Sequence, residues 1–169
     1  MKIYSIYNKN KSYDWMNQYK DEGHEVAIIG VFDPLILEIE GIPAIVDDAY
    51  KVLSFTKDPV ILTDSYKDIK NIDFKNRFIV NQVFQEDKKL LVFSIINIPK
   101  QVYFYEYFQE RLVYDVGFIF ASQEFWEQVR RIYNKWIVHN FIENKNYNHE
   151  LICNFCLSFY EHKVSLIER

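Results

Sequence analysis

The first third of the chain contains two kinds of hydrophobic pattern, short apolar runs typical of strands and a segment with apolar residues at helical spacing. Lys2–Tyr7 and Glu25–Phe32 are short apolar runs rich in β-branched or aromatic residues, which are typical of strands. Between them, Ser12–Glu22 carries apolar residues at helical spacing, and Gly23 is well placed to end that helix. The chain therefore opens β-α-β, which favours a parallel pair joined by a right-handed crossover.

The next segment repeats this order after a break at an Asp-Pro pair. One or two short strands are predicted around Gly41–Pro43, followed by a helix that begins after Asp47 or Asp48 and runs to about Thr56. The apolar run Pro59–Ser65 then predicts another buried strand.

The second half has a different pattern, with alternating segments that predict antiparallel strands. Its predicted elements are a hairpin over residues 77–98, strands over 101–108 and 111–122, and helices over 123–139 and 149–160. The whole pattern predicts a single α/β domain over residues 1–169. Its sheet is mixed and twisted, with a parallel β-α-β start, an antiparallel second half and helices on both faces.

Composition narrows the function classes. The 169 residues suit one domain, and 49% hydrophobic and 18% aromatic residues predict a globular fold. The net charge of −4, with scattered lysines and arginines, argues against nucleic acid as a partner. No window reaches 18 uninterrupted apolar residues, so no membrane span is expected, and the N-terminus lacks the apolar run of a signal peptide. With only two cysteines, a cytoplasmic location is the default expectation.

Two carboxylates follow the strand over residues 59–65. Asp64 closes the strand, and Asp68 follows after Ser65, Tyr66 and one lysine. Open α/β sheets bind ligands at the carboxyl ends of their strands, so Asp64 is a site candidate by position. An Asp that closes a strand is more often a turn residue, and a helix N-cap or a solvated position is the more common explanation for Asp68.

This order of elements resembles the core of nucleotide-sugar glycosyltransferases of the GT-A fold, whose strand ends in a metal-binding DxD motif. Asp64-Ser65-Tyr66 takes the place of that motif, with Tyr66 at the second acidic position. Later in the chain, the strand with Asp115-Val116-Gly117, an amphipathic helix and then Asn148-His149-Glu150-Leu151 follow the family's order. The resemblance spans most of the chain.

The resemblance implies a metal-dependent glycosyltransferase that uses Mn²⁺ or Mg²⁺ and a nucleotide-sugar donor, with an unknown glycan, protein or lipid acceptor. The cation neutralises charge on the departing diphosphate. The metal candidates are Asp64 and Asp68, the nucleotide-binding candidates are Tyr7, Asn8, Lys51, Ser65 and Tyr66, and the catalytic candidates are Asp115 and Glu150.

Each candidate also has a structural explanation. Lys51 falls on the side of its helix away from the apolar stripe, where a solvated position is more common than a phosphate contact. Asp115 fits an exposed strand end. Cys153 and Cys156 lie within a predicted helix, where buried free cysteines are common, so core packing is favoured over metal or redox chemistry.

Two other functions fit the same sequence. A non-catalytic interaction protein would use an aromatic surface, such as the row Tyr103, Tyr105 and Tyr107, to bind a partner or a second copy in a homodimer. A nucleotide-binding module without a transfer step would bind nucleoside diphosphates whether or not a sugar is attached.

Overall fold

The structure is a computed structural model that describes residues 1–75, 78–81, 114–138 and 149–167. Within these residues the sheet has eight strands: β1 (Lys2–Ile6), β2 (Glu25–Ile29), β3 (Glu38–Ile39), β4 (Ile42–Ile45), β5 (Val60–Thr63), β6 (Phe78–Asn81), β7 (Asp115–Ala121) and β8 (Val164–Ile167). The helices are α1 (Met16–Asp21), α2 (Ala49–Phe55), α3 (Gln123–Val138) and α4 (His149–Leu157), with a 3₁₀ helix over Ser158–Lys163.

The strand order is β3-β4-β2-β1-β5-β7-β6-β8. β1 pairs in parallel with both β2 and β5, so that Ile3 lies opposite Val26 and Ile61, and β2 pairs in parallel with β4. These four strands point the same way, so their last residues share one side of the sheet, which we call the carboxyl edge. Ligands bind at this edge in open α/β sheets.

The other half of the sheet is largely antiparallel. β7 runs antiparallel to β5, with Thr63 opposite Phe118, and β6 runs antiparallel to β7 and parallel to β8. Because β7 is reversed relative to β5, its first residues rather than its last lie at the carboxyl edge. The predicted mixed α/β sheet is confirmed.

Alternate residues of the central strands enter two hydrophobic cores, one on each face. On one face Ile3 and Ile61 pack with Met16 and Tyr19 of α1. On the other, the next residues along the strands pack with apolar residues of α2, α3 and α4. Each fully buried aliphatic side chain contributes roughly 1.5–3 kcal/mol of transfer free energy. Helices therefore cover both faces, as predicted.

Local signals in the sequence explain most helix ends. Gly23 follows α1 with a φ of 89°, and its N–H donates to the carbonyl of Lys20 while the N–H of His24 donates to Tyr19, which is a Schellman motif. Asp48 caps α2 by accepting from the N–H of Lys51 at 3.0 Å.

The structure differs from the predicted boundaries at several points. α1 begins at Met16 rather than Ser12, because residues before it are held by longer-range bonds: the Ser12 hydroxyl donates to Glu40 at 2.8 Å and the Tyr13 hydroxyl to the carbonyl of Ile6 at 2.8 Å. β2 ends at Ile29 because the next residue, Gly30, has a φ of 78°. β8 was not predicted.

Several predicted elements fall outside the described residues. The predicted hairpin over residues 77–98 is described only at β6, and the strand over 101–108 with its tyrosine row is not described. The last predicted helix ends at Leu157 and continues as the 3₁₀ helix. Among the described residues, no helix has the length and hydropathy needed to cross a membrane.

Candidate functional site

Two carboxylates converge at the carboxyl edge, above the backbone of Gly117. A Cβ atom added at Gly117 would lie 3.0 Å from Oδ1 of Asp115, and 3.0 and 3.2 Å from the carboxylate oxygens of Asp64. Only a residue without a side chain leaves this space to the two carboxylates.

The backbone of Gly117 also orients both acidic residues. Its N–H donates to Oδ1 of Asp115 at 2.9 Å, and its carbonyl accepts from the N–H of Asp64 at 3.0 Å. Asp64 is exposed and Asp115 is half-buried. We call Asp64 and Asp115 the carboxylate pair.

Glu150 lies near the carboxylate pair, in the first turn of α4. Its carboxyl has a pKa raised above the ordinary value, first by burial and then by the negative charges of Asp115 and Asp64. A half-buried carboxylate with a raised pKa is a stronger base than a solvated one.

A buried asparagine joins the segments that carry Asp115 and Glu150. The side chain of Asn154 accepts from the N–H of Tyr114 at 2.6 Å and donates to the carbonyl of Tyr114 at 3.1 Å. It also donates to the carbonyl of Glu150 at 2.9 Å, and it is only 1% exposed. The side-chain amide of Asn154 thus joins the start of β7 to the start of α4. Its signal in the sequence is a polar residue inside an otherwise apolar helix.

The first turn of α4 is also anchored to α2. Nδ1 of His149 lies 2.8 Å from the hydroxyl of Tyr50, the two rings stack with centroids 5.9 Å apart, and the sulfur of Cys153 lies 3.5 Å from the same nitrogen. Burial lowers the pKa of the His149 imidazole to about 4 and raises that of the Cys153 thiol. Both cysteines are buried free thiols, as predicted.

Other predicted site residues lie apart from the carboxylate pair. The carboxylate of Asp68 accepts from the N–H of Lys70 at 3.0 Å and lies among the charges that raise the pKa of Tyr66. The hydroxyl of Tyr66 donates to Glu22 at 2.8 Å, and its ring packs 4.8 Å from that of Tyr19. Tyr66 therefore packs against the α1 side of the fold, and Asp68 bonds the backbone of its own turn.

Lys51 pairs with Asp47, one turn earlier, at 3.1 Å. The ammonium of Lys51 thus already has a carboxylate partner on its own helical segment, and its contact with a nucleotide stays a prediction.

The remaining candidates lie along the carboxyl edge. Tyr7 follows β1, donates its N–H to Ile29 at 2.8 Å and stacks its ring against Tyr13. Asn8 is exposed and its side chain accepts from the N–H of Asn10. Ser65 is exposed directly beside Asp64. Their roles in nucleotide binding stay predictions.

A hard divalent cation fits the carboxylate pair by ligand type, because Mg²⁺ and Mn²⁺ prefer oxygen ligands and take several of them from bound phosphates and water. Across the described ranges, no group of three His, Cys, Asp or Glu side chains is arranged to hold a metal. Asp64 and Asp115 are the two carboxylates that meet over Gly117, and the role of Asp68 as a metal ligand stays a prediction.

Comparison with known proteins gives only distant likenesses. No protein-family model matches the sequence, and no curated protein matches it. Two crystal structures of the glycosyltransferase GlyE of Streptococcus pneumoniae TIGR4, one in the apo form, are similar in structure, with TM-scores of 0.43 and 0.44 and identities of 11% and 12%. The alignments cover 99% and 98% of this chain but 45% and 44% of those chains, so the chain spans less than half their length.

Proposed function

We propose that this chain is a glycosyltransferase-type domain that binds a nucleotide sugar and a divalent cation at the carboxyl edge. The observation that supports it is the convergence of Asp64 and Asp115 over Gly117, with Glu150 close enough for both charges to act on it. Crowded negative charges raise the energy of the fold, so a cation that offsets them would bind favourably.

Asp64 and Asp115 would hold Mn²⁺ or Mg²⁺, which when bound would neutralise charge on the departing diphosphate. Ser65, exposed beside Asp64, and the residues after β1, Tyr7 and Asn8, would contact the nucleotide.

In an inverting transfer, Glu150 would accept the proton of the acceptor hydroxyl. The hydroxyl oxygen then forms the new bond to the anomeric carbon, and the bond to the diphosphate breaks with its electron pair leaving on the diphosphate. The raised pKa of Glu150 suits this role, because a stronger base takes the proton more readily.

Thermal unfolding with UDP, GDP and their sugars, with and without Mn²⁺, tests this proposal. A ligand at about 100 times its dissociation constant adds about 2.7 kcal/mol, which is roughly 5–10 °C in Tm for a domain of this size. We expect such a shift in the wild type only with metal, and its loss in Asp64→Asn and Asp115→Asn.

Asp68→Asn is the matched control, because it removes the same charge four residues after Asp64 but outside the carboxylate pair. It should keep the wild-type shift. If the wild type shows no shift with any nucleotide, or if Asp68→Asn loses the shift as fully as Asp64→Asn does, the proposal is wrong. Equal shifts with UDP and its sugars would instead favour a nucleotide-binding module without transfer.

One observation favours the non-catalytic alternative. The segment between β2 and β3 exposes Phe32, Leu35 and Leu37, at 76%, 88% and 78% of their surface. Apolar side chains exposed together often mark a contact with another protein. If no nucleotide shifts the Tm of the wild type, this segment becomes the favoured contact surface.

A further inference from the structure

A cavity lies on the outer surface between α2 and α3. Its volume is about 270 Å³, and its lining residues are Ser54, Phe55, Glu127, Arg130, Arg131 and Asn134. None of these residues belongs to the carboxylate pair or to the candidates at the carboxyl edge, so this cavity can be judged without reference to the proposed transfer reaction.

Arg130 is held in place by two contacts from the end of α2. Its guanidinium carbon lies 5.0 Å from the centroid of the Phe55 ring, and Nη1 donates to the hydroxyl of Ser54 at 3.4 Å. A guanidinium stacked on an aromatic ring and tethered by a hydrogen bond loses less conformational entropy when it binds an anion. The side chain of Arg130 is thus pre-organised at the cavity.

The cavity carries excess positive charge. Ion pairs in the described part of the chain include Lys2 with Asp58 and Lys51 with Asp47. Within that part, neither Arg130 nor Arg131 has a carboxylate within 4.0 Å, although Glu127 lines the cavity. The lining thus has two guanidinium groups and one carboxylate, which favours an anionic ligand, and the charge of Arg130 also acts on Asp47 outside the cavity.

An exposed aromatic surface adjoins these charges. Phe55 is 65% exposed even though Arg130 stacks on it, so part of its ring is open to a ligand. The cavity is slightly smaller than typical ligand pockets, which span roughly 300–1,000 Å³, so a small group fits it best.

We propose that this cavity binds an oxyanion joined to a planar ring, either a phosphate monoester or a carboxylate. Arg130 binds the oxyanion through two parallel N–H donors, Arg131 adds charge, and the ring of the ligand packs on Phe55. Planar guanidinium groups match the geometry of both oxyanions.

Titrations of the full chain with phenyl phosphate, inorganic phosphate and benzoate, followed by NMR of backbone and arginine side-chain N–H groups, test this site. We expect saturable shifts at Arg130 with phenyl phosphate, and at least tenfold weaker binding in Arg130→Gln. Phe55→Leu should weaken the binding of phenyl phosphate more than that of inorganic phosphate, because phenyl phosphate loses its ring contact as well as the ring on which Arg130 stacks. The ranking of phenyl phosphate against benzoate identifies the preferred oxyanion.

Two further variants separate a built site from a general charge effect. Arg130→Lys keeps the charge but loses the guanidinium fork, so it should also bind more weakly. Lys135→Gln removes a charge from the same helix, about 140° around from Arg130, and should bind like the wild type. Shifts that rise linearly without saturation, or equal losses in Lys135→Gln and Arg130→Gln, would overturn the proposal.

Discussion

Gly117 is the residue on which the candidate site depends most directly. Its missing side chain provides the space that Asp64 and Asp115 share. Its N–H holds the side chain of Asp115, and its carbonyl holds the main chain of Asp64. The sequence shows Gly117 only as an interruption in an apolar strand. That the gap would be filled by a carboxylate 53 positions earlier depends on the pairing of β5 with β7.

Gly117→Ala should therefore abolish or strongly weaken the Mn²⁺-dependent thermal shift without unfolding the protein. The new methyl group would meet carboxylate oxygens at 3.0 Å, and the exposed side chain of Asp64 can move away from it. Ala is also more favourable than Gly inside a strand, so the loss in unfolding free energy should stay below about 1 kcal/mol.

Gly23→Ala provides the converse control. A Cβ there would meet nothing within 4 Å, but the φ of 89° strains any other residue, at a cost of about 1–2 kcal/mol. It should lower the unfolding free energy and leave the metal-dependent shift intact. If Gly117→Ala binds metal and nucleotide like the wild type, the carboxylate pair is not where they bind.

At the scale of elements, the site depends on how β7 and α4 are joined. The strand begins at Asp115 and the helix at His149, and Asn154 bonds the residue before the strand to the first turn of the helix. A buried amide that bonds both backbone groups of one residue acts like a short piece of sheet partner.

Asn154→Leu should lower the unfolding free energy by about 2–4 kcal/mol, because it leaves the N–H and carbonyl of Tyr114 without this buried partner. Urea denaturation measures the change. Ile152→Leu, on the same helix and equally buried, exchanges apolar groups of the same volume and should cost less than about 1.5 kcal/mol. Similar losses in the two variants would mean that packing rather than the amide bonds joins β7 to α4.

The elements themselves could largely be predicted from local patterns. β1, β2, β5 and α3 follow from hydrophobic period, and Asp64 as a strand end follows from the polar residues after it. By contrast, the contact of Tyr50 with His149 joins positions 99 apart, and the late start of α1 is set by bonds to Glu40 and Ile6. Tertiary contacts of this kind leave no mark on local spacing.

At the scale of the whole molecule, acid stability should depend on His149. Its pKa of about 4 in the folded protein lies below the ordinary 6.5, so the unfolded chain binds a proton first as the pH falls. Stability from this residue is complete above about pH 6.5 and decreases toward pH 4. Glu150, with its raised pKa, acts in the opposite direction, because its protonation favours the folded state.

Comparison with His149→Gln isolates the histidine, since all other groups titrate in both proteins. Between pH 7 and pH 5 the wild type should lose about 2 kcal/mol more unfolding free energy than the variant. Urea denaturation at both pH values gives the two differences. Equal losses would show that the ring is accessible to protons in the folded protein.

The carboxylate pair also bears on how this protein would respond to selection. The exposed carboxylate of Asp64 adds to the negative charge around Asp115 and Glu150, so substitutions that neutralise Asp64 would relieve like-charge repulsion. Random substitution under selection for stability alone would remove the carboxylate pair early. A lineage that retains it under such pressure does so because an activity requires it, and thermostabilising screens run without an activity readout would remove it.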